Sequence, residues 1–134
     1  MSVQVVLCLT RRPDITHEQF RAHYENSHAP LAMTHMGHLV QDYQRYYPQC
    51  RLPTIEEAAA GITQAERSYD AITVLTYATV EDRDEFFRIA MSPGIGELFA
   101  DDEAKFMDRP KLVIHATDSA SVVMAPDGTQ LWPR

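Results

Sequence analysis

Val3, Val5, Leu7 and Leu9 form a wholly apolar row, alternating with the mixed row Gln4, Val6, Cys8 and Thr10. That two-residue period predicts a strand with one face in a core. Arg11-Arg12-Pro13-Asp14 ends it in a turn. Thr16-His17-Glu18-Gln19 then combines a capping hydroxyl with a glutamine three residues on, which starts a helix. Phe20, Tyr24, His28 and Leu31 follow on one helical face. Pro30 disfavours helical geometry at Ala29, so the helix is expected to end or kink beside His28. Gly37 predicts a turn, and 39–47 a second strand with Leu39, Gln41, Tyr43 and Arg45 on one side, stopped by Pro48.

Residues 49–69 break the regular pattern. Thr54-Ile55-Glu56-Glu57 repeats the capping signal ahead of three alanines and predicts a short helix, its centre weakened at Gly61 by about 1 kcal/mol relative to Ala. This stretch reads as a helical insertion on a loop and a candidate lid. A third strand is expected over 71–77. A third cap, Thr79-Val80-Glu81-Asp82, opens a helix carrying Val80, Phe86, Phe87 and Ala90, which Ser92-Pro93-Gly94 breaks. A further helical segment bears Ile95, Leu98, Phe99 and Phe106, and 111–116 supplies the last strand. The tail from 119 to 134, through Val122-Val123-Met124 to Trp132, has no predicted partner, so the domain is placed at 1–118.

The resulting order, β-α-β-β-α-β, is the split arrangement of an α+β, ferredoxin-like fold with a four-stranded antiparallel sheet. Helices cover one face. The other would expose Val6, Cys8, Val40, Ile72 and Val74, too apolar a surface to leave in water. Two such sheets packed face to face solve the problem, which predicts a homodimer in the form of a dimeric α/β barrel.

Composition narrows the partners. A chain of 134 residues with 45% hydrophobic and 23% charged residues suits one globular domain and is too apolar for disorder. Its net charge is −7, Lys105 and Lys111 are its two lysines, and its arginines are scattered. No nucleic-acid partner is expected, because such affinity comes from clustered Lys and Arg. Cys8 and Cys50 show neither metal-ligand spacing nor a secreted disulfide framework. The apolar run 5–9 is far too short to cross a bilayer and no basic segment precedes it, so neither a membrane span nor a signal peptide is expected. A cytoplasmic, reducing setting follows as the expectation.

Pro13-x-x-Thr16-x-Glu18-x-Phe20, then His28-Ala29-Pro30-Leu31, then Gly37 and Tyr43, resemble the EthD-like branch of the dimeric α/β-barrel superfamily. Asp101-Asp102-Glu103-Ala104-Lys105-Phe106-Met107-Asp108 resembles that branch's late segment. The likeness spans residues 2 to about 117, apart from 49–69. It implies a homodimer with one pocket per subunit between sheet and helices, usually with no metal or organic cofactor. Relatives include dehydratases and decarboxylases acting on aromatic polyketides, muconolactone-type isomerases and plant polyketide cyclases. The fold also hosts monooxygenases, some of them haem-binding. His28 matches the helix-end histidine and Tyr43 the second-strand tyrosine of the isomerase-like pattern, and Tyr24 falls near the first-helix tyrosine of the cyclases. Ile95 and Phe86 replace the cyclases' later histidine and tyrosine, so their acid–base pair is absent.

His28 lies on an apolar stripe at a helix end. It is either a proton carrier near neutral pH or a structural histidine holding the Pro30 kink. Tyr43 and Tyr24 are either hydrogen-bond donors to a substrate oxygen or core aromatics with a hydroxyl at the surface. His115, inside the last strand, faces either the pocket or the dimer interior, and is a second-choice acid or base. Val5, Leu7, Leu9, Phe20 and Leu98 are assigned to the pocket lining. His35 and His38 are expected in a loop at the pocket mouth, and no metal site is predicted, since His17-Glu18 lacks the second histidine of a zinc-protease signature. Asp108 beside Arg109 reads as a structural pair or helix terminus, and Asp101-Asp102-Glu103 as a solvated helix face. Together these residues point to a small cofactor-independent lyase or isomerase. It would act by proton transfer on a small aromatic, lactone or polyketide-like substrate. The alternatives are a monooxygenase of the same fold, haem-dependent or cofactor-free, and a non-catalytic dimer that binds a hydrophobic ligand.

Overall fold

Four strands, β1 (Val3–Leu9), β2 (Val40–Tyr46), β3 (Ala71–Tyr77) and β4 (Val113–Ala116), form one antiparallel sheet in the order β2-β3-β1-β4. This is seen in a computed structural model that describes residues 2–117 and 124–130. The expected boundary at 118 and the tail residues Val122, Val123 and Trp132 lie outside the described residues. The central pair runs from Val3 opposite Tyr77 to Leu9 opposite Ala71. Its alternation sorts the side chains as the period requires: Val3, Val5, Leu9, Ala71, Leu75 and Tyr77 are buried under the helices.

Helix α1 (His17–His23) opens with a complete Thr16–Gln19 capping box. At Pro30 the chain stays helical. A π turn, Tyr24–His28, leads into α2 (Ala29–Met36), and the Ala29 N–H bonds the Tyr24 carbonyl five residues back. The wide turn absorbs the hydrogen bond that Pro30 cannot donate, so Ala29 keeps helical geometry and the helix does not end there, against the expectation. A 3₁₀ turn, Gly37–Leu39, ends the element. His35 therefore lies on α2 rather than in the loop expected for it, and only His38 lies in the turn.

β2 departs from simple alternation. A register shift between Val40 and Asp42 leaves Gln41 exposed and sets Val40 opposite Tyr77. Val40, partly buried, then packs against the core cluster, which corrects its assignment to the open face; a bulge turns one residue through to the other side. Tyr43 and Arg45, opposite Leu75 and Thr73, share the helix-covered side.

In the 49–69 segment, α3 (Ile55–Ala59) carries the Thr54–Glu57 capping box, and an Arg51–Ala65 bridge ties the segment's ends. Gly61 lies beyond the helix at φ +90, so it closes α3 rather than weakening its centre. α4 (Val80–Ala90) and α5 (Ile95–Glu103) follow, with Gly94 at φ +87 between them. Phe106 falls past the end of α5, not on it, and is fully buried. Two apolar clusters result, one around Val5, Met36, Leu75 and Phe99, the other around Phe20, Tyr24 and Phe106.

The uncovered face carries Val6 and Cys8, flanked by Val74 and Ile72 on one side and by His115 and Val113 on the other. Among the described residues no helix is long and apolar enough to cross a membrane.

Candidate active site

The π turn places four functional side chains within one short stretch. Tyr24 points into the molecule, Glu25 reaches β2, and Ser27 and His28 reach α5. Their partner on α5 is Asp102, 7% exposed. His28 Nδ1 lies 3.0 Å from Asp102 Oδ2, His23 Nε2 lies 2.9 Å from Oδ1, and the Ser27 hydroxyl donates to Oδ1 at 2.8 Å. Burial alone would push this carboxyl up. The donors from Ser27, His28 and His23 outweigh it and hold Asp102 below its ordinary 3.8.

His28 shifts the other way for its type. Burial lowers its imidazole below 6.5, and Asp102 offsets only part of that effect. The ring is therefore neutral at neutral pH. With Asp102 ionised, Nδ1 is the donor and Nε2 carries the lone pair. His28 lines the main cavity, so Nε2 is the nitrogen left to meet a ligand.

Tyr43 lines the same cavity. Its hydroxyl donates to Tyr24 at 2.9 Å, and the Tyr24 hydroxyl lies 2.7 Å from Thr73 Oγ1, where either atom can donate. Burial raises both phenols, Tyr43 strongly, so both stay protonated. The Arg45 guanidinium sits 4.6 Å above the Tyr43 ring. Glu25 clamps Arg45 through both carboxylate oxygens and also accepts from the Tyr47 hydroxyl. The Arg45 hydrogen bonds, acting against burial, hold the Glu25 carboxyl at about 2.

The cavity measures about 950 Å³, within the range of small-molecule sites. Leu7, Leu9, Met36, Leu75, Phe86 and Phe99 supply apolar wall, and Tyr24, His28, Tyr43, Glu103 and Arg109 supply polar groups. Among the described residues no group of three or more His, Cys, Asp or Glu side chains is arranged to hold a metal ion.

Of the lining and site residues named from sequence, His28, Tyr43, Tyr24, Leu7 and Leu9 meet in this one cavity. The others do not. Val5 is sealed in the core beneath α2, and Phe20 backs Tyr24 from the second cluster. Leu98 is 48% exposed, because Phe99 takes the inward position on α5. His115 pairs with Val6 on the open sheet face, while its neighbour Ile114 lines the cavity. Strand alternation allows only one of the two inside.

The acidic run is not a solvated face. Only Asp101 is exposed, while Asp102 anchors three donors and Glu103 lines the cavity. Asp108 and Arg109 do not pair with each other, and it is the helix-terminus alternative that holds: Asp108 is the N-cap residue of the 3₁₀ turn Arg109–Lys111 and lies 3.6 Å from Lys111, while Arg109 Nε lies 3.3 Å from Glu103. Sequence reasoning missed Asp102, Glu103, His23, Ser27 and the Glu25–Arg45 clamp. One signal for Asp102 was present: it follows Ile95 and Phe99 at helical spacing, on the apolar stripe.

An antiparallel β2-β3-β1-β4 sheet with helices on one face and a cavity between the layers defines a ferredoxin-like α+β protein. The EthD domain family model matches residues 12–110, and the chain belongs to that family. Solved structures similar to it include an EthD-like protein from Ralstonia eutropha, 15% identical, with a TM-score of 0.63 and coverage of 94% of this chain and 96% of that one. An EthD (ethyl tert-butyl ether) family protein from Bacillus halodurans is 20% identical, with a TM-score of 0.57 and coverage of 89% and 99%. A dimeric protein of unknown function and ferredoxin-like fold from Bacteroides fragilis is 11% identical, with a TM-score of 0.50 and coverage of 88% and 96%. At these identities the likeness is one of fold. No curated protein matches the chain.

Proposed function

We propose that the chain is a small cofactor-independent lyase or isomerase that moves a proton beside a carbonyl, on a small aromatic, lactone or polyketide-like substrate. The observation that carries this reading is the His28–Asp102 pair at the wall of an apolar cavity. His28 Nε2 takes a proton from the carbon next to the substrate carbonyl, and ionised Asp102 stabilises the imidazolium that forms. Tyr43 stabilises the oxygen that gains charge. Its hydrogen turns from Tyr24 to the substrate as the three hydroxyls reverse, with Thr73 donating to Tyr24 and Tyr24 to Tyr43. The proton on His28 then returns to a different carbon, or goes to a leaving hydroxyl. Leu7, Leu75, Phe86 and Phe99 keep water from the reacting carbon.

The working unit is a homodimer, supported by the apolar open face of the sheet and by the dimeric relative. Free Cys8 and Cys50 support a reducing, cytoplasmic setting.

Deuterium uptake into a panel of aryl ketones, lactones and β-diketones in D₂O tests proton transfer directly. The parent should accelerate exchange at one carbon of a subset. His28→Asn and His28→Gln should fold and bind but lose about 10²–10⁴-fold in rate, and Tyr43→Phe should lose less. Exchange at near-parental rates in both His28 variants would make His28 structural.

A further inference from the structure

Among the described residues one cationic side chain, Arg109, lines the cavity, and the way it is held points to its use. Arg109 opens the 3₁₀ turn Arg109–Lys111 that follows α5, and its side chain is 55% exposed at the cavity rim. Glu103, from the last turn of α5, approaches it at Nε, 3.3 Å away. The Glu103 side chain is only 18% exposed. Burial pushes its carboxyl up and Arg109 pulls it back, so this is not a freely solvated rim pair. Glu103 sits at Nε, and among the described residues the two terminal nitrogens make no hydrogen bond, which leaves them as the open edge of the guanidinium. That edge is a planar fork matched to two oxygens of one acid group.

Three charged residues nearby have partners of their own. Lys111 pairs with Asp108, Asp102 is saturated by His23, Ser27 and His28, and Glu97 accepts from the Gly94 N–H at the start of α5. The chain's net charge of −7 repels an anion at long range, so any recognition of one has to be local.

We propose that this cavity selects an amphipathic organic acid, its carbon skeleton against the apolar wall and its carboxylate on the terminal nitrogens of Arg109, with Glu103 orienting the guanidinium. The proposal rests on the reading of this cavity as the substrate site and adds the substrate's charge. It makes Arg109 a specificity-determining residue and leaves the proton transfer to His28.

Matched probes decide it. Calorimetry at pH 7.5 compares 4-phenylbutyrate with 4-phenylbutan-1-ol, and 2-naphthoate with 2-naphthol, on the parent, Arg109→Gln and Arg109→Lys. The parent should bind each acid at least about tenfold more tightly than its alcohol, as one charge-assisted contact implies. Arg109→Gln should remove that preference while leaving the alcohols unchanged, and Arg109→Lys should keep part of it. His28→Asn should retain the full preference, so a failure of the proton-transfer reading would show separately. Equal affinity for acid and alcohol in both pairs, weak binding of all four probes included, overturns the proposal. So does a preference that survives Arg109→Gln.

Discussion

Replacing Asp102 by Asn changes one atom and reverses the logic of the site. Three donors converge on Asp102: His23 and Ser27 at Oδ1, His28 at Oδ2. An amide offers one accepting oxygen and one donating nitrogen. Setting the oxygen at the Oδ1 position keeps two donors satisfied and turns the NH₂ toward His28 Nδ1. His28 must then accept at Nδ1 and carry its proton on Nε2, so the group meeting the ligand becomes a donor and the base is lost. Three charge-assisted bonds become neutral ones, a loss of about 1 kcal/mol each. Relief of carboxylate desolvation offsets part of this, leaving a net cost of about 1–2 kcal/mol. For a domain of this size that is roughly 4–8 °C in Tm.

The pH dependence has a definite sign. Asp102 titrates below 3.8 in the folded chain, so its contribution is complete above 3.8 and disappears as pH falls through the folded value. The Tm gap between parent and Asp102→Asn should therefore be full at pH 7 and close at strongly acid pH. Long-range ¹⁵N–¹H spectra of the His28 ring report the tautomer, and deuterium uptake reports the chemistry, with an expected loss of about 10²–10⁴-fold. A variant whose His28 keeps its proton on Nδ1, or that exchanges at the parental rate, would refute the assignment of Asp102 as the residue that sets His28.

His28 itself makes stability depend on pH in the neighbouring window. Its folded pKa lies below 6.5, so on acidification the unfolded chain binds the proton first and stability falls from 6.5 down to the folded value. Urea unfolding between pH 5 and 8 should show this slope in the parent and a flatter one in His28→Gln; equal slopes would count against a neutral buried imidazole. On the open sheet face, Val74 sits opposite Val6. Light scattering should give about twice the 15.2 kDa subunit mass, and Val74→Glu should yield monomer or aggregate. A soluble, well-folded monomer of the parent would remove the dimer.

What the linear chain determined is what local physics determines. The Thr16, Thr54 and Thr79 caps bond backbone N–H groups three residues on, so each is complete within four residues of sequence. The two-residue alternation of β1, the third strand at 71–77 and the break at Ser92-Pro93-Gly94 arise from equally short-range preferences, and their order was enough to specify the ferredoxin-like sheet. The apolar spacing also placed Tyr24 and His28 on one inward face. Tertiary structure decided everything that depends on register or on distant partners. One extra residue at Gln41 carries Val40 from the open face to the core, and the pairing of Val6 with His115 sends that histidine out of the cavity while Ile114 goes in. Asp102 stands 74 residues from His28 and reads in sequence as one more acid in a polar run. It becomes the residue that fixes His28 only because α5 packs its inner face against the π turn, and no local pattern records that contact.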